Sequence, residues 1–372
     1  MKRWVRRLGL AAAFAVTCAA ALEALLRIAA PIPLNSPRFR TSARYCTELW
    51  PSNDGFITTV DFRHAFRTDE RGWRRSGAQS PGSAPAPRSV AVIGDSMVFG
   101  EGVADDETFV ARLPAALAER GAGRWDAWNL GIGGHGTAQH LARLEDLMTS
   151  GRRPDVALVT FFANDPRDDR ECRPFELAAD GTSLARVVPA YFAHPPPKRI
   201  QWLAEQPAYR WITSRSQLLG RIRLKLARTE DRRHGTDTSV PPERRPGGNA
   251  LDEPLTPDAL RLLTSLYRRL ASDAREWSLP LGLVLVPHKG CFEAGSRAAC
   301  DAKLDTVARV AAEAGLAVLD LRPAFAARSI ETDYYPHDLH WTAAGHAAAT
   351  APIADFIVRL EARTGGSERP ST

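Results

Sequence analysis

From Ser89 onward the chain alternates short apolar runs with longer segments in which apolar residues recur every three or four positions. The runs SVAVIGDS, DAWNLGI, DVALVTFFAND, LGLVLVP and LAVLDL read as strands. Between and after them, helices are predicted over about 106–119, 137–148, 299–314 and 342–360, the last with Pro352 as a candidate kink. One further helix starts at Thr256, an N-cap residue followed by Pro257, with Leu260, Leu263, Tyr267, Leu270 and Ala274 as its apolar stripe. Near-continuous apolar strands are buried on both faces, and parallel strands need crossover helices to cover them. The predicted class is therefore α/β with a parallel sheet.

The alternation stops between about 166 and 255. That stretch holds a helical piece, SQLLGRIRLKLAR, and a polar, Pro-rich segment from Thr229 to Pro254, which together read as an insertion with a mobile loop. Upstream, SGAQSPGSAPAPR reads as a flexible linker. It separates the alternating domain, 89–362, from an N-terminal extension that with the linker spans 31–88 and has short strands around DGFITTVDFRHAF. Residues 363–372 are expected to form a disordered tail.

The first thirty residues follow a different pattern. A basic start, MKRWVRR, precedes an Ala-rich apolar run from Leu8 to Leu22, and then Glu23 and Arg27 intrude. A spanning helix needs about 20 apolar residues, so this run reaches across a bilayer only if Glu23 and Arg27 pair at i,i+4 near an interface. The favoured reading is an uncleaved anchor in the inner membrane that places the downstream chain in the periplasm. A signal peptide cut near Ala19–Ala21 and a buried cytosolic helix are the alternatives.

Composition changes this picture little. Among 372 residues, 44% are hydrophobic and 25% charged, ordinary values for a globular chain. The net charge of +6 is spread along the sequence without a basic block, which argues against nucleic-acid binding. Cys18 lies in the apolar run and leaves four others, an even number suited to an oxidising compartment. Cys291 and Cys300 bracket a short loop and are the favoured pair, with Cys46 and Cys172 following by elimination; four free thiols are the alternative. No Cys/His spacing suggests a metal, and no cofactor is implied.

In open parallel sheets, ligands collect at the carboxyl ends of the strands. Ser96 ends the first strand, Gly133 and Gly134 follow the second, Asn164 and Asp165 end the third, and PHDLHW lies between the last strand and the last helix. A serine hydroxyl is a weak nucleophile until a base takes its proton, and that base needs a third group to fix its tautomer. His340 suits the base, and Asp338, two residues earlier in a segment read as extended, suits the orienting acid. The backbone N–H groups of Ser96 and Gly134 and the Asn164 amide are candidate oxyanion donors. Asp95 is expected to brace the turn under Ser96, and Asp165 the loop carrying Asn164. His337 competes for the role of base. His135 and His346 are read as structural, and His288 with Lys289 as possible pocket lining.

GDS, NLGIGGHG, FFAND and DLHWTAAGH, taken together, resemble the SGNH (GDSL-type) hydrolase superfamily over about Ser89 to Leu360, apart from the insertion. The resemblance implies a flavodoxin-like three-layer α/β/α sandwich with a mostly parallel sheet of about five strands. It assigns the nucleophile to Ser96, the oxyanion glycine and asparagine to Gly134 and Asn164, and the base and its partner to His340 and Asp338. The sequence departs from the family at Phe162, where a glycine is usual, which is expected to narrow the site. It also has Asp-x-His in place of Asp-x-x-His, a form similar to SGNH proteins of polysaccharide O-acetylation. The anchor and the phrase TDERGWRRS are similar to exported bacterial members. The implied activity is a serine esterase acting through an acyl-enzyme on O-acyl esters, O-acetyl and carbohydrate-linked above others. An O-acetyltransferase, a lipid or thioester hydrolase and a non-catalytic glycan-binding module are the alternatives. The implied partners are a small-molecule or glycan ester and the membrane.

Overall fold

A computed structural model describes residues 2–32, 34–36, 38–76, 88–189, 202–203, 205–222, 225, 251 and 253–364. The linker (77–87), most of the Pro-rich insertion segment and the tail from 365 lie outside the described residues.

The sheet strands are β5 (Arg88–Gly94), β6 (Trp125–Gly131), β7 (Val156–Phe161), β10 (Leu281–Leu285) and β11 (Ala317–Asp320). They are all parallel, in the order β6-β5-β7-β10-β11. This is the flavodoxin-like order 2-1-3-4-5, as expected, and its crevice opens where the order reverses, beside β5. Alternate residues of β5 serve opposite faces: Ala91 and Ile93 join one core, Val90 and Val92 the other. The first core is closed by α4 (Thr137–Thr149), α7 (Pro257–Glu276) and α8 (Arg297–Glu313). The second is closed by α3 (Phe109–Glu119) and α9 (Ala343–Thr364).

Local signals set the helix starts. Thr108 caps α3 by accepting from the Ala111 N–H at 3.1 Å, and Thr256 caps α7 by accepting from Ala259 at 3.2 Å. The predicted stripe of α7 is buried at Leu263, Tyr267, Leu270 and Ala274, while Leu260 is only half-buried. Pro352 lies within α9, which continues to Thr364 without ending there.

The N-terminal extension forms two antiparallel hairpins, β1 (Phe39–Ser42) with β2 (Cys46–Leu49) and β3 (Asp54–Thr58) with β4 (Arg63–Arg67). Leu49, Ile57, Phe62 and Phe66 pack on Phe99 and Ile132, which belong to the rim of the sheet. Both expected disulfides are present, Cys46–Cys172 and Cys291–Cys300. The first spans 126 positions and ties the extension to the end of α5 (Asp165–Glu171).

The N-terminal helix α1 (Lys2–Ala29) has 28 residues and is exposed along almost all of its length. Its segment Arg3–Ala29 is the one helix, among the described residues, long and apolar enough to cross a membrane. At about 1.5 Å per residue it exceeds the ~30 Å hydrocarbon thickness. Its C-terminal end docks on the insertion. The Glu23 carboxylate accepts from Ser216 Oγ and from the N–H groups of Gln217 and Leu218, each at 2.9 Å. Arg27 pairs with Glu23 at 2.8 Å and donates to the Arg215 carbonyl at 2.6 Å.

Candidate active site

Strand β5 ends in Gly94 and Asp95, and the chain turns at once into a short helix, α2 (Ser96–Phe99). Asp95 makes that turn: fully buried, it accepts from the Met97 N–H at 2.9 Å as the N-cap. Gly131 permits the close approach of α2 to β6, because a Cβ there would lie 2.1 Å from the Phe99 nitrogen. Asn129 completes the join, donating to the Val98 carbonyl at 2.8 Å and accepting from the Gly131 N–H at 3.0 Å.

The loop 334–341 carries the imidazole to Ser96. A bridge between Tyr334 and Trp341 closes its base, and Trp341 is fully buried against Phe325. Asp61 in the β3–β4 hairpin accepts from the His337 backbone N–H at 2.8 Å and pairs with His337 Nδ1 at 2.7 Å. Lys289 donates to the Pro336 carbonyl at 3.0 Å, so this lysine braces the loop. His337 is thereby turned outward, away from the base position for which it competed.

His340 Nε2 lies 2.7 Å from Ser96 Oγ. On its other side, Nδ1 is hydrogen-bonded to Asp338 Oδ1, which also accepts from the His340 backbone N–H at 3.1 Å. The segment is bent rather than extended as expected. Asp338 reaches the ring because its carboxylate closes a local turn over its own second neighbour, a habit of Asp. With Nδ1–H donated to Asp338, Nε2 is the acceptor and the Ser96 hydroxyl the donor.

Burial alone lowers the imidazole pKa, but the Asp338 hydrogen bond and charge, with Glu101 and Asp95 nearby, outweigh it and raise His340 to about 9. Asp338 moves the other way: burial raises it, the hydrogen bond and charge of His340 lower it, and it stays below its ordinary value. Glu101 is likewise lowered, with burial offset by the charges of Arg38 and His340. Arg38 pairs with Glu101 at 2.8 Å.

The glycine loop stands beside the hydroxyl. A Cβ added at Gly133 would lie 3.6 Å from Ser96 Cβ and 3.6 Å from Glu101 Oε2. Gly134 is exposed, has φ +78°, and has open space where a side chain would project. Asn164 is partly buried. Its amide donates to Asp168 Oδ2 at 2.8 Å, which leaves its second amide hydrogen without a bond among the described residues. Asp165 is fully buried and accepts from Thr137 Oγ1 at 2.9 Å and the Phe162 N–H at 3.3 Å, bonds that tie the turn carrying Asn164 to α4.

Asp165 belongs to a buried acid group under the site. Desolvation raises Asp95 to about 7, Asp168 to about 6 and Asp169 to about 8; the Asp168 charge adds to the shifts of Asp95 and Asp169, and the Glu171 charge to that of Asp168. Asp165 rises well above its ordinary value for the same reasons, the Asp95 charge foremost among its neighbours.

Phe162 does not act as its departure from the family suggested. It is buried in the second core, edge-on to His288, and its ring is taken up by packing rather than by narrowing the site. His346 accepts from the Phe109 N–H at 3.3 Å and stacks on that ring, and His135 Nε2 lies 3.1 Å from Thr47 Oγ1; both are structural as read.

Sequence reasoning missed Arg38, Glu101 and Arg74. Arg74, from the TDERGWRRS phrase, is fully buried. It pairs with Asp105 at 3.1 Å and donates to the carbonyls of Phe99, Gly100 and Val103 at 2.6 Å each. It thus fixes the loop that follows the serine helix. The available signal was the phrase itself, but an arginine in a polar stretch reads as surface until the fold encloses it.

Residues 92–348 match the model of the GDSL-like Lipase/Acylhydrolase family. No curated protein matches the chain by sequence. Among solved structures, an alpha/beta hydrolase enzyme from the metagenome of Lake Arreo, Spain, is 18% identical, covering 74% of this chain and 98% of its own, with a TM-score of 0.40. The lipase/acylhydrolase from Enterococcus faecalis is 15% identical, covering 77% and 100%, with a TM-score of 0.40. The acetyl xylan esterase AlAXEase is 12% identical, covering 73% and 98%, with a TM-score of 0.38. The chain belongs to the GDSL-like lipase/acylhydrolase family and is an ester hydrolase of that kind.

Proposed function

We propose that this ester hydrolase works through a Ser96 acyl-enzyme on O-acyl, foremost O-acetyl, esters of carbohydrate, outside the cytoplasm, held to the inner membrane by α1. The observation that carries the catalytic part is the continuous hydrogen-bonded line from Ser96 Oγ through His340 to Asp338.

In this reading Ser96 Oγ attacks the ester carbonyl carbon while His340 Nε2 takes the hydroxyl proton, and Asp338 holds the Nδ1 proton and the imidazolium charge. The carbonyl oxygen becomes an oxyanion, held by the N–H groups of Ser96 and Gly134 and the free amide hydrogen of Asn164. His340 returns its proton to the leaving alcohol as the C–O bond breaks. Water, deprotonated by the same imidazole, then attacks the acyl-serine; the bond from the acyl carbon to Ser96 Oγ breaks, His340 returns the proton to Oγ, and the acid leaves.

The small clearance between Gly133, Ser96 and Glu101 supports a short acyl group. Support for the anchor comes from the exposure of α1 and from the docking of Glu23 on 216–218, which holds the insertion against the end of that helix. Exposed Trp202, Trp211 and Ile212 in that insertion suit the lipid headgroup level, where Trp is favoured.

Labelling with a fluorophosphonate tests the nucleophile: the wild type is expected to label and Ser96→Ala not to. Incubation with acetylated glycans then tests the outcome. Free acetate is expected; acetate appearing on an added sugar instead would make the protein a transferase.

A further inference from the structure

Next to the glycine loop, at Leu130 and Ile132, opens a cleft of about 400 Å³. Leu130 and Ile132 form part of its wall, and Gly133, the next residue, abuts Ser96. Four arginines line it, Arg44, Arg71, Arg143 and Arg152, together with Tyr45 and Trp73.

Arg143, on α4, is only 8% exposed. Its Nε has no hydrogen-bond partner among the described residues, and its guanidinium rests over the Tyr45 ring at 5.3 Å. The two acids in the cleft, Glu48 and Asp146, act on it through charge alone, because their hydrogen bonds go to other groups. Glu48 pairs with Arg40 at 2.9 Å and accepts from Ser42. Asp146 pairs with Arg44 and with Arg186, each at 3.2 Å, and accepts from the Tyr45 hydroxyl. Arg71 has Asp69 at 3.3 Å, and the exposed Arg152 lies over the Trp73 ring at 5.7 Å. Four arginines thus face two acids in the cleft, and the buried Arg143 makes no hydrogen bond to either among the described residues.

A buried charge is kept only where it is paired or hydrogen-bonded. A guanidinium fork binds carboxylate or phosphate oxygens in pairs, and aromatic walls suit the body of a larger ligand. The cleft is also far larger than the ~30 Å³ share of one water molecule, so a bare ion would leave most of it empty. We infer that it binds an anionic sugar residue, one that carries a carboxylate or phosphate, with Arg143 and Arg152 on the anionic group. Given the esterase reading above, on which this step rests, the cleft is a subsite that holds an acidic glycan while its ester lies at Ser96.

The test is calorimetric titration of the full-length Ser96→Ala protein in detergent with trigalacturonate, glucose 6-phosphate, inorganic phosphate and neutral cellotriose. At least one anionic saccharide is expected to bind ten-fold or more tightly than cellotriose, and which one identifies the oxyanion. Arg143→Gln and Arg152→Glu, each checked for a native circular dichroism spectrum, are both expected to weaken that binding ten-fold or more. Arg152 is exposed, so its variant keeps the test sharp if loss of Arg143 disturbs folding. Equal binding of neutral and anionic saccharides, unchanged affinity in Arg152→Glu, or inorganic phosphate matching the saccharides, an adventitious ion only, would each overturn the inference. Binding is read here without turnover. Absent fluorophosphonate labelling of the wild type would sink the esterase reading alone, and absent saccharide binding with labelling intact would sink the subsite alone.

Discussion

In Asp338→Asn the side chain keeps its shape and loses its charge, so the variant isolates what the carboxylate does for His340. The native surroundings raise the imidazole from 6.5 to about 9. At about 1.36 kcal/mol per pH unit that shift corresponds to ~3 kcal/mol in favour of the imidazolium. Among the groups that raise it, Asp338 comes first by hydrogen bond and by charge, ahead of Glu101 and Asp95. A general base must be neutral to accept a proton, so wild-type kcat/KM is expected to climb with pH up to about 9. In the variant that acid limb is expected to fall by about 1–2 pH units, as the nearest opposite charge is gone. The amide NH2 can also donate to Nδ1, which puts the ring proton on Nε2, the wrong tautomer for a base, and this predicts a drop in kcat of about 10³–10⁴.

Stability gives an independent reading with a definite sign. A histidine whose folded pKa is raised contributes stability that is fully present below its unfolded pKa and is lost as pH rises through the folded one. Wild type should therefore exceed the variant by up to ~3 kcal/mol near pH 6, with the gap closing above about pH 9. Asp338 stays ionised through this window because it titrates below its ordinary value. The assays are a pH profile on p-nitrophenyl acetate and urea unfolding near both ends of the range. An acid limb that does not move, with a stability gap independent of pH, would refute the role given to Asp338.

Removing the Cys46–Cys172 bond by a double Ser substitution should cost about 4–5 kcal/mol of stability by chain entropy, since it spans 126 positions; thermal melts without reductant would show it. Arg74→Met should cost about 3–5 kcal/mol in urea unfolding, because it leaves the Asp105 pair broken in the interior and three carbonyls without their donor. Asp169 is held protonated up to about 8, so its burial becomes more unfavourable as pH rises. Asp169→Asn should accordingly give no gain in melting temperature near pH 4, a gain that grows as pH rises toward about 8, and a constant gain beyond; an equal effect at pH 4 and pH 8 would contradict the assigned ionisation.

The order of elements and the motifs whose Ser96, His340 and Asp338 meet in a hydrogen-bonded line were legible along the chain because each is local. Buried strands such as VAVI need only apolar runs, Thr108 and Thr256 announce their helices by capping, and GDS and DLH are contiguous motifs. The pairing of cysteines was legible for a similar reason, with one short loop and one remainder.

What the sequence could not determine was which polar residues of the extension become interior. Arg38, Arg74 and Asp61 lie in stretches whose composition reads as surface, yet they hold Glu101, the 99–103 carbonyls and the loop of His340. Their partners are tens to hundreds of positions away, and a buried charge is recognisable only when its neutralising group is known. The same holds for Glu23, which looks like an interruption of an apolar helix until Ser216–Leu218 meet it, and for Arg143, whose helix reads as an ordinary amphipathic one. Sequence alone thus determined the sheet, its helices and the motifs that carry Ser96, Asp338 and His340, since short-range pattern dictates them; the tertiary structure decided how the extension encloses the site and which charges lie together, since both depend on contacts between distant segments.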